Sequence, residues 1–176
     1  VLGLHAVIVM PSDAPAIKRQ RAAADGAEII VVGPDSEERA ALAEKLAGER
    51  GWVPVPPFDD PRIAAGQGTA ALELLEDAGE LERFYAPVSG GGLMAGSAVA
   101  VHALQPAVEI VAVEPADANS LQLSLTAGTR RSVPAPHTIA DGLRVRTPGA
   151  LTWPVLQRHV ARVVLVSDDA ILQAMA

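Results

Sequence analysis

A chain of 176 residues, 49% of them hydrophobic, has room for one large domain or two small lobes around a real core. A net charge of −7 and only five aromatic residues (two Trp, two Phe, one Tyr) leave neither a cationic footprint for a phosphate backbone nor a stacking platform for bases, which argues against nucleic acid as a partner. The absence of Cys removes disulfides, thiolate nucleophiles and Cys-based metal sites, and no apolar run approaches the roughly 20 residues of a membrane span, a combination that fits a cytoplasmic protein with no membrane partner.

Ala6–Met10 is a continuous apolar, β-branched run, the pattern of a strand buried on both faces. Pro11-Ser12-Asp13 ends it, and Asp13 is placed to cap a helix with Pro15 in its first turn and Gly26 as its stop. Ile29–Val32 is a second buried run. Asp35-Ser36-Glu37-Glu38 reads as a capping box, Asp35 the cap and Glu38 reaching back, for a helix that ends near Gly48 with Leu42 and Leu46 on one face. Trp52–Val55 reads as a third short strand. Strand and helix therefore alternate through the first part of the chain, as in an α/β fold.

Pro54 to Pro61 holds four prolines in eight residues, which suits neither a sheet nor a helix interior. A stiff connection is expected there, with a boundary that makes residues 1–57 part of a small domain and 58–176 part of a large one. Gly66-Gln67-Gly68-Thr69 leads into a helix with Ala71, Leu74, Leu75 and Ala78 facing inward. Phe84–Val88 reads as a buried strand, and the helix after it runs to about Leu104. Glu109–Val113 is another buried strand, closed by Glu114-Pro115. Asn119–Ala127 is helical with Gly128 as its stop, Arg130–Gly149 is a long irregular stretch, Leu151–His159 is a helix and Val163–Val166 a last strand. Val1 follows no basic stretch, Leu2-Gly3 looks like a helix tail, and Ser167-Asp168-Asp169 caps a helix that has run about two turns by Ala176, so the chain is expected to be a piece of a longer protein.

The stretch that organises the rest is Val88-Ser89-Gly90-Gly91-Gly92-Leu93, where a strand turns abruptly into a helix. Three glycines leave the main chain bare, free to adopt positive φ and to approach a ligand closely. The helix start adds unpaired N–H groups and the positive end of its dipole. This is an anion site, most naturally for a phosphate. A helix packed so tightly that only Gly fits is the plainer alternative. Glu114 stands at the carboxyl end of a neighbouring strand, on the rim where parallel sheets bind ligands.

Two readings compete for this rim. Gly90-Gly91-Gly92-Leu93-Met94-Ala95 satisfies G-x-G-x-x-A, with Glu114 22 residues past Gly92, so an NAD(P)-binding Rossmann-type domain with Glu114 on a ribose hydroxyl is one. The other starts from the order of motifs. Val9-Met10-Pro11 with Ala14-Pro15 and Lys18, Asp25-Gly26-Ala27-Glu28, Pro57-Phe58-Asp59-Asp60-Pro61, Ala65-Gly66-Gln67-Gly68-Thr69, Pro87-Val88-Ser89-Gly90-Gly91-Gly92-Leu93, Val113-Glu114-Pro115 and Thr138-Ile139-Ala140-Asp141-Gly142-Leu143 follow one another across nearly the whole chain. As a set they resemble the fold-type II pyridoxal-phosphate enzymes, specifically the threonine dehydratase and serine racemase group.

That resemblance implies two-lobed open parallel sheets with flanking helices, tryptophan synthase beta-like and here incomplete, with residues 58–176 in the cofactor-binding lobe. It implies that Ser89, Gly90, Gly91, Gly92 and the N–H of Leu93 cradle the phosphate of pyridoxal 5'-phosphate, and that Gly142 lies near its ring. It makes Glu114 and the Ala118 carbonyl candidates for a Mg or Ca ion, although Ser120 stands where a third, acidic ligand is found in part of the family. Phe58 occupies a position held by a cofactor-contacting Asn in some members. The activity implied is dehydration and deamination of L-threonine or L-serine to a 2-oxo acid and ammonia, a step linked to isoleucine biosynthesis, by an enzyme that is a homo-oligomer when full length. The family's Schiff-base lysine belongs ahead of Val1, and neither Lys18 nor Lys45 matches it, so this chain by itself is expected to be inactive. His5, His102, His137 and His159 show no ligand spacing.

Overall fold

In the computed structural model, which describes residues 3–33 and 36–176, the chain divides into two units, Val1–Val55 and Pro56–Ala176. In the first, β1 (Val7–Pro11) and β2 (Glu28–Val32) pair in parallel, with Val7 opposite Glu28 and Pro11 opposite Val32. The crossover between them is α1 (Ala16–Ala24), and α2 (Ser36–Arg50) follows. Four expectations change here. The strands are half-buried rather than buried on both faces, because α1 contributes no buried residue and the sheet has two strands among the described residues. The position before α1 is held by Pro15, not Asp13, and no side chain caps it. Gly48 does not end α2; Gly51 does, at φ 66°, where the Trp52 N–H reaches back to the Ala47 carbonyl at 2.9 Å. Trp52–Val55 forms no strand, since Pro54 lacks a ladder donor and Val53 and Val55 are exposed. Asp35, read as the cap of α2, lies outside the described residues.

The second unit opens on α3 (Pro61–Ala78), ahead of the expected start. Pro61 is a helix opener rather than a breaker, because the first helical position needs no N–H. Asp60 is the cap and accepts the Arg62 N–H at 2.7 Å. The Arg62 guanidinium hydrogen-bonds the same carboxylate, which lowers its pKa to about 2. The inward face of α3 carries Gly68, Ala71 and Leu75, while Leu74 and Ala78 are exposed, against the expected stripe.

A three-stranded parallel sheet follows, in the order β3-β4-β5: β3 (Arg83–Pro87), β4 (Glu109–Pro115) and β5 (Arg162–Val166). Only β4 is central. In β3, Phe84 and Ala86 are buried while Tyr85 is exposed, so this strand is half-buried and not buried throughout. Between β3 and β4 runs α4 (Gly92–Leu104), and after β4 comes α5 (Ser120–Ala127), stopped by Gly128 at φ 67°. Residues 129–151 are irregular apart from a short 3-10 turn at Asp141–Leu143, and α6 (Thr152–His159) and α7 (Asp168–Met175) flank β5.

The core of this unit gathers Leu75, Phe84, Met94, Val101, Leu121 and Leu156. Full burial of side chains such as Met94, Leu121 and Leu156 is worth about 1.5–3 kcal/mol each. The closest packing is between α3 and α4, where a Cβ on Gly96 would fall on the Ala64 carbonyl oxygen and lie 2.7 Å from the Gly68 nitrogen. Gly68 and Gly96 thus let two helix backbones touch, which is why Gly68 stands inside α3, in a stretch the sequence placed ahead of the helix. Among the described residues no helix is long and apolar enough to cross a membrane.

Candidate functional site

The turn from β3 into α4 is the candidate site. Val88 extends the ladder by one bond, its N–H donating to the Val113 carbonyl at 2.9 Å, and the chain then swings through Ser89 to Gly92 into the helix. Gly91 precedes the helix at φ 98°, a conformation that side chains rarely adopt. Ser89 and all three glycines are buried, and Leu93 partly so.

Among the described residues no acceptor faces the N–H groups of Gly90, Gly91, Gly92 or Leu93, and the first helical N–H to find one is that of Ala95, which donates to the Gly91 carbonyl at 2.8 Å. Buried N–H groups in native folds are nearly always paired. A run of unpaired donors at a helix start can satisfy an oxyanion with several charge-assisted bonds, each worth about 1.5–3 kcal/mol. The phosphate end of a phosphorylated cofactor fits this donor set.

The walls of the turn explain the plainer reading as well. A Cβ on Gly90 would run into the Phe58 ring, one on Gly92 would come 3.0 Å from Phe58 Cα, and one on Gly91 would come 2.7 Å from Leu156 Cδ1 and 2.9 Å from Thr152 Oγ1. The glycines therefore serve close packing and bare donors at once. Phe58 is the wall over Gly90 and Gly92.

Three contacts that the sequence did not disclose fasten the turn. Ser89 Oγ accepts the Val145 N–H at 3.0 Å and keeps its own O–H to donate. The Gly90 carbonyl accepts from the Gly149 N–H at 3.0 Å and from Thr152 Oγ1 at 2.7 Å. Asp59 accepts the N–H groups of Ala150 and Leu151 at 2.8 Å and of Thr152 at 3.3 Å, capping the start of α6 from 91–93 residues away. The long irregular stretch is thus tied to the glycine turn. Gly142 lies in its short 3-10 turn, exposed, with open space where a Cβ would stand, so nothing in the chain itself requires glycine there.

Glu114 has a different task from either one expected of it. It is fully buried, and its two carboxylate oxygens accept the Leu121 N–H at 2.8 Å and the Gln122 N–H at 2.9 Å, clasping the first turn of α5. Full burial keeps it away from any ribose hydroxyl, which counts against the dinucleotide reading. A metal role beside the Ala118 carbonyl finds no support here. Both oxygens face N–H hydrogens, Ser120 contributes no carboxylate, and among the described residues no group of three or more His, Asp or Glu could hold a metal ion.

Burial pushes the Glu114 carboxyl up to about 7, against the two N–H donors that favour its charged form. The folded state therefore holds a proton between about pH 4.5 and 7 that the unfolded chain has already released. By linkage this contribution to stability is fully present below about pH 4.5 and is lost as pH rises through 7. Compared with the non-titrating variant Glu114→Gln, the wild-type unfolding free energy is expected to fall by roughly 2–3 kcal/mol between pH 5 and 8. Urea titrations at the two pH values check this, and parallel pH curves for the two proteins refute it.

The family model for pyridoxal-phosphate dependent enzymes matches residues 1–176. The chain is 40% identical over 175 residues to L-threo-3-hydroxyaspartate ammonia-lyase of Saccharomyces cerevisiae, covering 99% of this chain and 54% of that protein. Its structure resembles the T.th. threonine deaminase, with a TM-score of 0.91 and 43% identity over 98% of this chain and 57% of that one. It also resembles maize serine racemase, with a TM-score of 0.93 and 40% identity over 98% and 52% of the two chains. The chain spans between about a third and a half of the length of the curated relatives it matches.

Proposed function

This chain belongs to the pyridoxal-phosphate-dependent enzyme family, and from that premise we propose that it forms the phosphate-holding part of an ammonia-lyase that converts L-threonine or L-serine to a 2-oxo acid and ammonia. The observation that carries the reading is the set of buried main-chain donors at the start of α4 with no protein acceptor among the described residues. On this reading Gly90, Gly91, Gly92 and Leu93 donate N–H bonds to the phosphate, and the Ser89 hydroxyl adds its own proton while Val145 holds it in place. The α4 dipole favours the double negative charge. Phe58 closes one side of the turn, and Gly142 leaves its loop free for main-chain approach to the cofactor ring.

Pyridoxal phosphate, when bound, supplies an electron-withdrawing ring that makes the α-proton of an amino acid acidic enough to leave. The residues described here anchor and orient rather than move that proton. Lys45 pairs with Glu49 at 3.9 Å on exposed α2, as a solvated lysine does, and the 176-residue chain by itself is expected to release no 2-oxo acid. The names of the relatives support an amino-acid substrate bearing a β-hydroxyl or a related group. Residues 58–176 belong on this reading to the large cofactor-binding domain and residues 1–57 to the small one, in a cytoplasmic homo-oligomer.

The test uses the longest reading frame that encodes this sequence, incubated with pyridoxal phosphate and, in turn, L-threonine, L-serine and L-threo-3-hydroxyaspartate. Formation of 2-oxo acid and ammonia from threonine or serine is expected. Turnover of hydroxyaspartate alone, or conversion of L-serine to D-serine with no 2-oxo acid, overturns the assignment.

A further inference from the structure

The segment 138–145 is held at both ends, and the holding groups follow opposite edge strands of the sheet. At one end Asp168, the first residue of α7, accepts the Thr138 hydroxyl on one oxygen at 2.5 Å and the Ile139 N–H on the other at 3.0 Å. At the other end the Val145 N–H donates to Ser89 Oγ at 3.0 Å. Between them the Arg144 guanidinium folds back onto the Thr138 carbonyl, with Nε at 3.0 Å and Nη2 at 2.6 Å. Asp168 lies two residues past β5 and Ser89 two residues past β3, and β4 lies between those strands. The loop is therefore anchored beyond the carboxyl ends of the two strands that flank β4, about 10 Å apart at the usual strand spacing, on the rim where parallel sheets bind ligands.

We propose that Asp168 is a positioning residue: by holding Thr138 and Ile139 against the start of α7 it fixes the 138–145 loop as a wall beside the glycine turn, and so sets the affinity for the phosphorylated cofactor. This rests on the reading of that turn as the phosphate seat. Asp168 gains little as a helix cap in the ordinary sense, because Ser167 already fills that role, its Oγ accepting the Ala170 N–H at 3.2 Å. Its carboxylate points away from its own helix to a buried threonine 30 residues earlier in the chain. The Thr138 and Ile139 hydrogen bonds hold its pKa below the usual carboxylate value, as they do for a carboxylate committed to donors.

Asp169 provides the control. It is the next residue of the same first turn, is exposed, and gives α7 the same charge without the tie. In the full reading frame, Asp168→Ala is expected to weaken pyridoxal phosphate binding about fivefold, the loss of roughly one net hydrogen bond, and to speed amide exchange across residues 138–145. Asp169→Ala is expected to do neither. Thr138→Val is expected to reproduce the Asp168→Ala effect, and Thr138→Ser, which keeps the hydroxyl, to restore wild-type affinity. An Asp168→Ala protein with wild-type affinity, or one matched by Asp169→Ala, overturns the proposal. If Gly91→Val loses affinity while Asp168→Ala keeps it, the tie alone is wrong. If both keep it, the phosphate seat is wrong and the tie falls with it.

Discussion

Gly96→Val is expected to prevent residues 56–176 from folding. The new Cβ falls on the Ala64 carbonyl oxygen and lies 2.7 Å from the Gly68 nitrogen, inside van der Waals contact, and both atoms belong to the α3 backbone. A clash with a side chain can be relieved by a rotamer change, at a typical cost of about 1–3 kcal/mol. Here the relief requires α3 and α4 to separate. Separation uncovers Met94, Val101 and Leu75, each worth about 1.5–3 kcal/mol when fully buried. The sum is about 4.5–9 kcal/mol, the whole stability of many domains. Gly66 lies one half-turn from Gly68 on the same helix, with nothing within 4 Å of its would-be Cβ. Gly66→Ala is therefore expected to stabilise the protein by about 0.8–1 kcal/mol, from helix propensity alone. Thermal and urea denaturation of the two variants decide the matter: a Gly96→Val protein that melts with the wild type would show that the helices do not cross backbone to backbone.

Gly91→Val is expected to weaken binding of inorganic phosphate and of pyridoxal phosphate by at least about 100-fold, the loss of two charge-assisted bonds at about 1.5 kcal/mol or more each. Valine at φ 98° is strained regardless of its surroundings, and its Cβ would also press on Leu156 and Thr152. The chain must leave that conformation, and the N–H groups of Gly91 and Gly92 then no longer converge. Gly91→Ala brings the same backbone strain with a smaller side chain, set against Leu156 Cδ1, Thr152 Oγ1 and Thr152 Cβ, and is expected to lose about tenfold in affinity. Equilibrium dialysis measures both, with Gly66→Ala as a variant that keeps wild-type affinity. An unchanged dissociation constant in Gly91→Val would show that the turn is packed for closeness only.

What could be read from the sequence was what is local. Three adjacent glycines after an apolar run announce a bare turn before a helix, and Gly26 and Gly128 mark helix ends at positive φ, as the structure has them. Errors came where a local signal had two physical meanings. Pro61 can break a helix or open one, and only the Asp60 cap decides between them. Gly68 can mark a loop or a helix crossing, and only its partner Gly96 on α4 tells which. Trp52–Val55 has strand-like residues but no neighbour to pair with among the described residues. The rest depends on distance along the chain. Asp59 serves α6 from 91–93 residues away, Thr138 and Asp168 are 30 apart, and Glu114 looked outward-facing because its recipients, the N–H groups of Leu121 and Gln122, carry no side-chain signature.

The unpaired amides at the head of α4 have one more consequence. A grip made of peptide groups has no side-chain functional group to exchange: mutation reaches it only through backbone shape, by adding a Cβ at Gly90, Gly91 or Gly92 or by moving what packs against them. The walls that hold that shape are Phe58 over the turn, Thr152 and Leu156 behind it, and the loop that Asp168 secures. The course of the main chain thus selects the charge, and a change in any of these walls is felt as a change in where the donors converge.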